Sequence, residues 1–212
     1  MTAPRPAKVL IAISNPSDYP PLDVENEVRR ISEPLDKLNG DVRYEIIRQA
    51  TKRDFAEKLL VFKPHVVHFI GHGTIKPNGE GALVFEDIVH SKSALMSADE
   101  MMQLLRSARS VQVVILNACL TAAETAGKAI MAIAPRLVWA GMPIVIAMQV
   151  AVPDKTAVVF SQDLYKSLSR GVPLDAAITQ ARLLTYLENK VAWGIPVLFM
   201  RAPDGVIWEP RT

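Results

Sequence analysis

Cysteine is almost absent from this 212-residue sequence: Cys119 is the only one. That excludes an intramolecular disulfide and any multi-thiolate zinc or iron–sulfur site, and a lone thiol fits a reducing compartment. Neither sign of charge is in excess. Lys and Arg number 24 against 22 Asp and Glu, a formal net charge of +2, whereas a polyanion binder carries a clear and clustered basic surplus. Nucleic acid is therefore not an expected partner. Long apolar runs are lacking too. Residues 9–13 are too few for a signal-peptide core and lead straight into Ser14-Asn15-Pro16. Residues 137–148 fall short of the ~18–20 that a membrane span needs, and Gly141-Met142-Pro143 interrupts them. A cytoplasmic protein without a membrane segment is expected. The phosphate-cradling Gly-x4-Gly-Lys-Ser/Thr loop, a Gly-x-Gly-x-x-Gly after the first strand and a Gly-x-Ser-x-Gly elbow are all missing. No cofactor is expected.

Half of the residues are apolar and 22% are charged, a globular composition. A chain of this length buries about 70% of the surface that its unfolded form exposes, and so needs no metal or disulfide to hold it. No repeat, low-complexity tract or linker divides it, and residues 1–212 read as a single domain. Six apolar runs read as core strands: 8–13, 42–47, 66–70, 111–116, 143–148 and 195–200, with a short edge strand at 82–85. Helices are expected over 23–37 with Asp23 as N-cap and Pro34 kinking or ending it, from Thr51 through Phe62, from Ser97 to about Ser107, from Thr121 to about Ala140, and over 154–168 and 174–186. Ser97 with Glu100, and Thr121 with Glu124, are capping-box patterns. Apolar strands alternating with helices predict an α/β fold, a three-layer α/β/α sandwich around a mostly parallel six-stranded sheet.

In such sheets functional groups gather beyond the carboxyl ends of the strands. His72, in Gly71-His72-Gly73, follows the third strand, and Cys119 follows the fourth, 47 residues later. If those strands are neighbours, imidazole and thiol meet at one rim. Cys119 also precedes a helix start, where free amides and the dipole favour a thiolate. The amides of Gly73 and Cys119 can together form an oxyanion hole. A lone cysteine after a buried strand is more often an inert apolar residue, and Gly-His-Gly alone is ordinary turn chemistry. Only their joint placement raises the catalytic reading to even terms.

Val66-Val-His-Phe-Ile-Gly-His-Gly73 and Val114-Ile-Leu-Asn-Ala-Cys119 resemble the two signature blocks of the CHAT-domain peptidases, relatives of caspases, separases and gingipains. The resemblance continues through Ala140-Gly-Met-Pro-Ile-Val-Ile-Ala147, Val152-Pro-Asp154 and the helices that follow, and covers essentially the whole chain. It implies a caspase-like fold and a cysteine endopeptidase with a Cys119–His72 dyad. His72 matches the family's histidine because glycine directly follows it. Asp154 matches an acidic residue that receives a basic side chain before the cut, which implies cleavage of a protein or peptide substrate after a basic residue. A charged residue in that position is otherwise most often just solvated. The family is usually accompanied by repeat or sensor regions, which implies control by an activating partner or domain. Two positions depart from the pattern: Leu120 stands where many relatives have an acidic residue, and Gln149 where many have tryptophan. They motivate the alternative of a catalytically silent CHAT-type interaction module.

The spacing of His68 and His72 occurs in zinc sites, but both lie on a strand and no third ligand is evident, so His68 reads as structural and no metal is expected. His65 and His90 read as surface residues. A small-molecule-binding α/β domain is a weaker rival, needing a closed pocket at the strands' carboxyl ends.

Overall fold

The computed structural model of the chain describes residues 3–38, 40–118, 123–148 and 154–208. Six strands form one path through the sheet: β1 (Ala7–Ile13), β2 (Val42–Ile47), β3 (Val66–Ile75), β6 (Val113–Ala118), β7 (Ile144–Met148) and β8 (Pro196–Met200), in the order β2-β1-β3-β6-β7-β8. All adjacent pairs on this path are parallel except β7 and β8. This is the expected six-stranded sheet. Two further strands, β4 (Gly81–Asp87) and β5 (Lys92–Ser97), make an antiparallel hairpin joined to the far half of β3.

The sequence reading holds no strand at β5. Its residues include Ala94, Leu95 and Met96, all of high helix propensity, and pairing with β4 overrides that preference. Two strand ends also differ from expectation. β3 does not stop at Ile70: it runs through His72 and Gly73 to Ile75, because after its parallel pairing with β6 it is taken up by β4. β6 carries Asn117 and Ala118 inside the strand rather than after it.

Helices α1 (Val24–Asp36), α5 (Asp154–Leu168) and α6 (Leu174–Glu188) cover one face of the sheet; α2 (Lys52–Phe62), α3 (Ala98–Ser107) and α4 (Ala123–Trp139) cover the other. Strand alternation divides the core accordingly. Val66 and Ile70 of β3 with Val113 and Ile115 of β6 join the α1/α5/α6 cluster, whereas Val67, Phe69, Val114 and Leu116 join the α2/α3/α4 cluster. Local capping agrees with the packing. Asp23 accepts from the Asn26 amide, Thr51 from the Asp54 amide, and Ser97 with Glu100 closes a reciprocal capping box. α1 ends two residues beyond Pro34. The Thr121–Glu124 pattern begins outside the described residues.

Candidate active site

The rim is built by register. β1, β3 and β6 lie side by side, with Ile13 opposite Ile70, Ile70 opposite Asn117 and Gly71 opposite Ala118. His72 is the residue after Gly71 in β3, and Cys119 is the residue after Ala118 in sequence. The neighbouring-strand condition for the dyad is thus met by β3 and β6. Cys119 itself lies outside the described residues. So do Leu120 and Gln149; Asp154 is the first residue of α5.

Gly71 is glycine for a steric reason. A Cβ there would sit 2.9 Å from the Ser14 carbonyl oxygen and 2.7 Å from the Phe69 ring. The segment leaving β1 therefore presses directly on β3, where the Ser14 amide donates to the Ile70 carbonyl at 2.9 Å. That segment, residues 14–23, folds across the rim and is tied to the β4–β5 hairpin. The Asn15 amide donates to the Glu86 carboxylate at 3.0 Å, and Ser93 donates its amide and hydroxyl to Asp18 at 3.1 and 2.8 Å. Its Tyr19 ring rests on the His72 imidazole, centroids 5.0 Å apart at 33°. His72 is only 1% exposed.

Gly73 is likewise buried and faces Leu83 of β4 in the antiparallel ladder. Alternate pairs in such a ladder point their amides away from the partner strand, so an oxyanion role needs the Gly73–Leu83 pair to be of that kind.

A buried polar group that sequence reasoning missed lies on the α1/α5 side of this rim. The Glu27 carboxylate of α1 accepts from the Asn117 side-chain amide of β6, and from the Ser161 hydroxyl of α5 at 3.1 Å. His68 Nε2 is 3.9 Å from the same carboxylate oxygen, and His68 Nδ1 is 3.2 Å from the Tyr165 hydroxyl. Burial pushes the His68 imidazole down to about 3, so it is neutral, and pushes the Tyr165 phenol up. The neutral ring shares one hydrogen bond with the Tyr165 hydroxyl at Nδ1, its direction set by the tautomer, while Nε2 faces Glu27 beyond hydrogen-bond distance. One signal for this cluster existed in the sequence. Glu27 falls on the apolar stripe of α1 made by Val24, Val28, Ile31 and Leu35, where a charge is out of place.

His68 is thus structural, stacked on Tyr165 with ring centroids 5.7 Å apart. His90 is exposed and bonds Asp87. His65, expected at the surface, is buried: its Nδ1 accepts from the Lys8 amide at 2.9 Å, and its own backbone bridges β1 and β6. Burial and the Lys8 charge lower its ionisation. His65 also lines a cavity of about 500 Å³ with Met102, Leu105, Arg109, Leu137 and Met142. That cavity lies beside the residues that precede β3, β6 and β7, at the amino-terminal rim, opposite His72. Among the described residues no three His, Cys, Asp or Glu side chains gather as a metal-binding group, and no helix is long and apolar enough to cross a membrane.

Solved structures share the fold that carries this site. The Drosophila initiator caspase Dronc superposes with a TM-score of 0.65 at 9% identity, over 98% of this chain and 85% of that one. The Arg-specific cysteine proteinase gingipain R superposes with a TM-score of 0.58 at 11% identity, over 96% of this chain and 48% of that one. At such identities the likeness establishes a caspase-like fold. No curated protein matches the sequence. The CHAT domain family model matches residues 2–196, nearly the entire length, and the chain therefore belongs to the CHAT-domain family.

Proposed function

We propose that the protein is a caspase-like cysteine endopeptidase in which Cys119 is the nucleophile and His72 the proton carrier, within one domain spanning the chain. The single observation that supports this reading is the β3–β6 register, which pairs Gly71 with Ala118, the residues directly before His72 and Cys119. In the proposed cycle the Cys119 thiolate attacks the scissile carbonyl carbon. The oxyanion is held by the Gly73 and Cys119 amides, each worth about 3–4 kcal/mol in the barrier. His72 gives its proton to the departing amine, leaving a thioester. Water then adds to the thioester carbonyl, passing a proton to His72, and the carboxylic product leaves the thiolate behind. No third group is needed to ionise a thiol.

Cleavage after a basic residue is supported by the family's acidic position, which falls on Asp154 at the start of α5. Gingipain R, of the same fold, is named as Arg-specific. Control by an activating partner is supported by the burial of His72 beneath Tyr19. A partner that draws residues 14–23 off the rim would open the imidazole to substrate.

The experiment compares the protein and Cys119→Ala on peptide libraries carrying Arg or Lys before the cut, alone and with candidate activators. The wild type should cleave and the variant should lose more than about 10³-fold in rate, as loss of a nucleophile does. Equal cleavage by the two overturns the proposal.

A further inference from the structure

We infer that Glu27 is a positioning residue that sets the end of β6, and through it the thiol of Cys119. The inference rests on the peptidase reading for its purpose but not for its test.

The placement of Glu27 is hard to explain as packing. The residue is 3% exposed, and its carboxylate lies between α1, β6 and α5. Taking a carboxylate out of water is costly unless hydrogen bonds compensate it, and an apolar side chain of like size often serves stability as well or better. The neighbours on the same stripe are Val28 and Ile31, so such a residue would continue the pattern. The bonds that Glu27 accepts lead in two informative directions. Asn117 is the second residue before Cys119. Ser161 is seven residues, about two helical turns, after Asp154. One carboxylate therefore ties the strand that delivers the nucleophile to the helix that begins at the candidate specificity residue. His68, buried and neutral, closes the group from β3, the strand that carries His72. Displacing a reacting atom by about 1 Å can cost about 10²-fold in rate. A fixed carboxylate under the strand end is a physical means of preventing that displacement.

The chain has one cysteine, so alkylation of the native protein at neutral pH by iodoacetamide reads Cys119 alone. A group that merely stabilises the fold and a group that positions the thiol predict opposite signs. Loosening the fold exposes the thiol and speeds alkylation, whereas misplacing a thiol held as thiolate slows it. Glu27→Ala and Asn117→Asp are both expected to slow alkylation about 10-fold or more, the second by setting carboxylate against carboxylate. The double variant Glu27→Gln with Asn117→Asp reverses donor and acceptor, and should return to within about 3-fold of wild type. In peptide cleavage the single variants should lower kcat and leave KM within a few-fold.

If Glu27→Ala does not fold, Asn117→Asp and its rescue still decide. Alkylation unchanged or faster in the single variants, or no recovery in the double variant, overturns the inference. Slowed and rescued alkylation in a protein that cleaves no better than Cys119→Ala upholds the positioning role while removing the peptidase.

Discussion

His68 gives the chain a built-in acid sensitivity whose size follows from the structure. The ring is wholly buried beside Tyr165, and burial lowers its ionisation from 6.5 to about 3. A histidine lowered on folding binds its proton less readily in the native state than in the unfolded chain. Its stabilising contribution is therefore complete above 6.5 and declines as the pH falls toward 3. Within that window each pH unit withdraws about 1.4 kcal/mol, so the step from pH 7 to pH 5 withdraws about 2 kcal/mol. That is a large share of a total stability of about 5–15 kcal/mol. The comparison is urea unfolding of wild type and His68→Gln at pH 7, 6 and 5. All other titrating groups are common to both proteins, including His65, whose ionisation is also lowered. The difference between the two curves belongs to His68, and wild type should lose about 2 kcal/mol more than the variant by pH 5. Parallel curves would refute the reasoning. A wild type that instead gains on the variant toward pH 5 would mean that protonated His68 pairs with Glu27 across the 3.9 Å between them, and that attraction outweighs desolvation.

Other substitutions test the rim and the frame. Gly71→Ala forces a methyl group against the Ser14 carbonyl and the buried Phe69 ring; overpacking of this kind should cost about 1–3 kcal/mol in urea unfolding, and a neutral result would mean that residues 14–23 yield easily. Ser97→Ala removes the reciprocal cap of α3, in which Ser97 Oγ accepts from the Glu100 amide at 3.2 Å and the Ser97 amide donates to Glu100 at 2.7 Å. A loss of about 1 kcal/mol is expected in thermal or urea unfolding, and an unchanged midpoint would mean that the cap adds nothing to α3.

The parts of the fold that were legible are those where one strand's own residues decide the outcome. Continuous apolar runs gave β1, β3, β6 and β7, and the capping pattern gave the start of α3. β5 was hidden because its strand form comes from pairing with β4, against the helical preference of its residues. The burial of His65 depends on Lys8, 57 residues away, donating its amide to the ring. Tyr19 sits in a segment without periodicity, and the ties from Asn15, Ser17 and Asp18 to the hairpin hold that segment where Tyr19 meets His72. At the candidate site, the glycine neighbours of His72 marked the end of the parallel stretch of β3, whereas the adjacency of β3 and β6 is a long-range pairing that only the fold supplies. Glu27 was overlooked although its stripe position marked it, because a charged amphipathic helix normally turns its charges outward.

The two sides of the sheet differ in what they bury beside their apolar clusters. The α2/α3/α4 side packs Leu10, Phe55, Val67, Phe69, Phe85, Val114 and Leu116 in an apolar cluster whose aromatic rings touch in series, Phe55 on Phe85 and Phe85 on Phe69. Area burial of this kind is insensitive to small shifts of one atom, since it is nondirectional. The α1/α5 side mixes an apolar cluster with Glu27, His68, Asn117, Ser161 and Tyr165, whose hydrogen bonds fix angles as well as distances. A network of that kind adds less stability than an apolar core of the same volume, but it specifies where the end of β6 stops relative to β3. It therefore stands where directionality has a use, beneath the one rim at which the residues preceding His72 and Cys119 are register partners. Replacing it with aliphatic side chains should leave a chain that folds and melts much like the original while its single thiol loses its reactivity, a separation of stability from placement that the apolar face cannot produce.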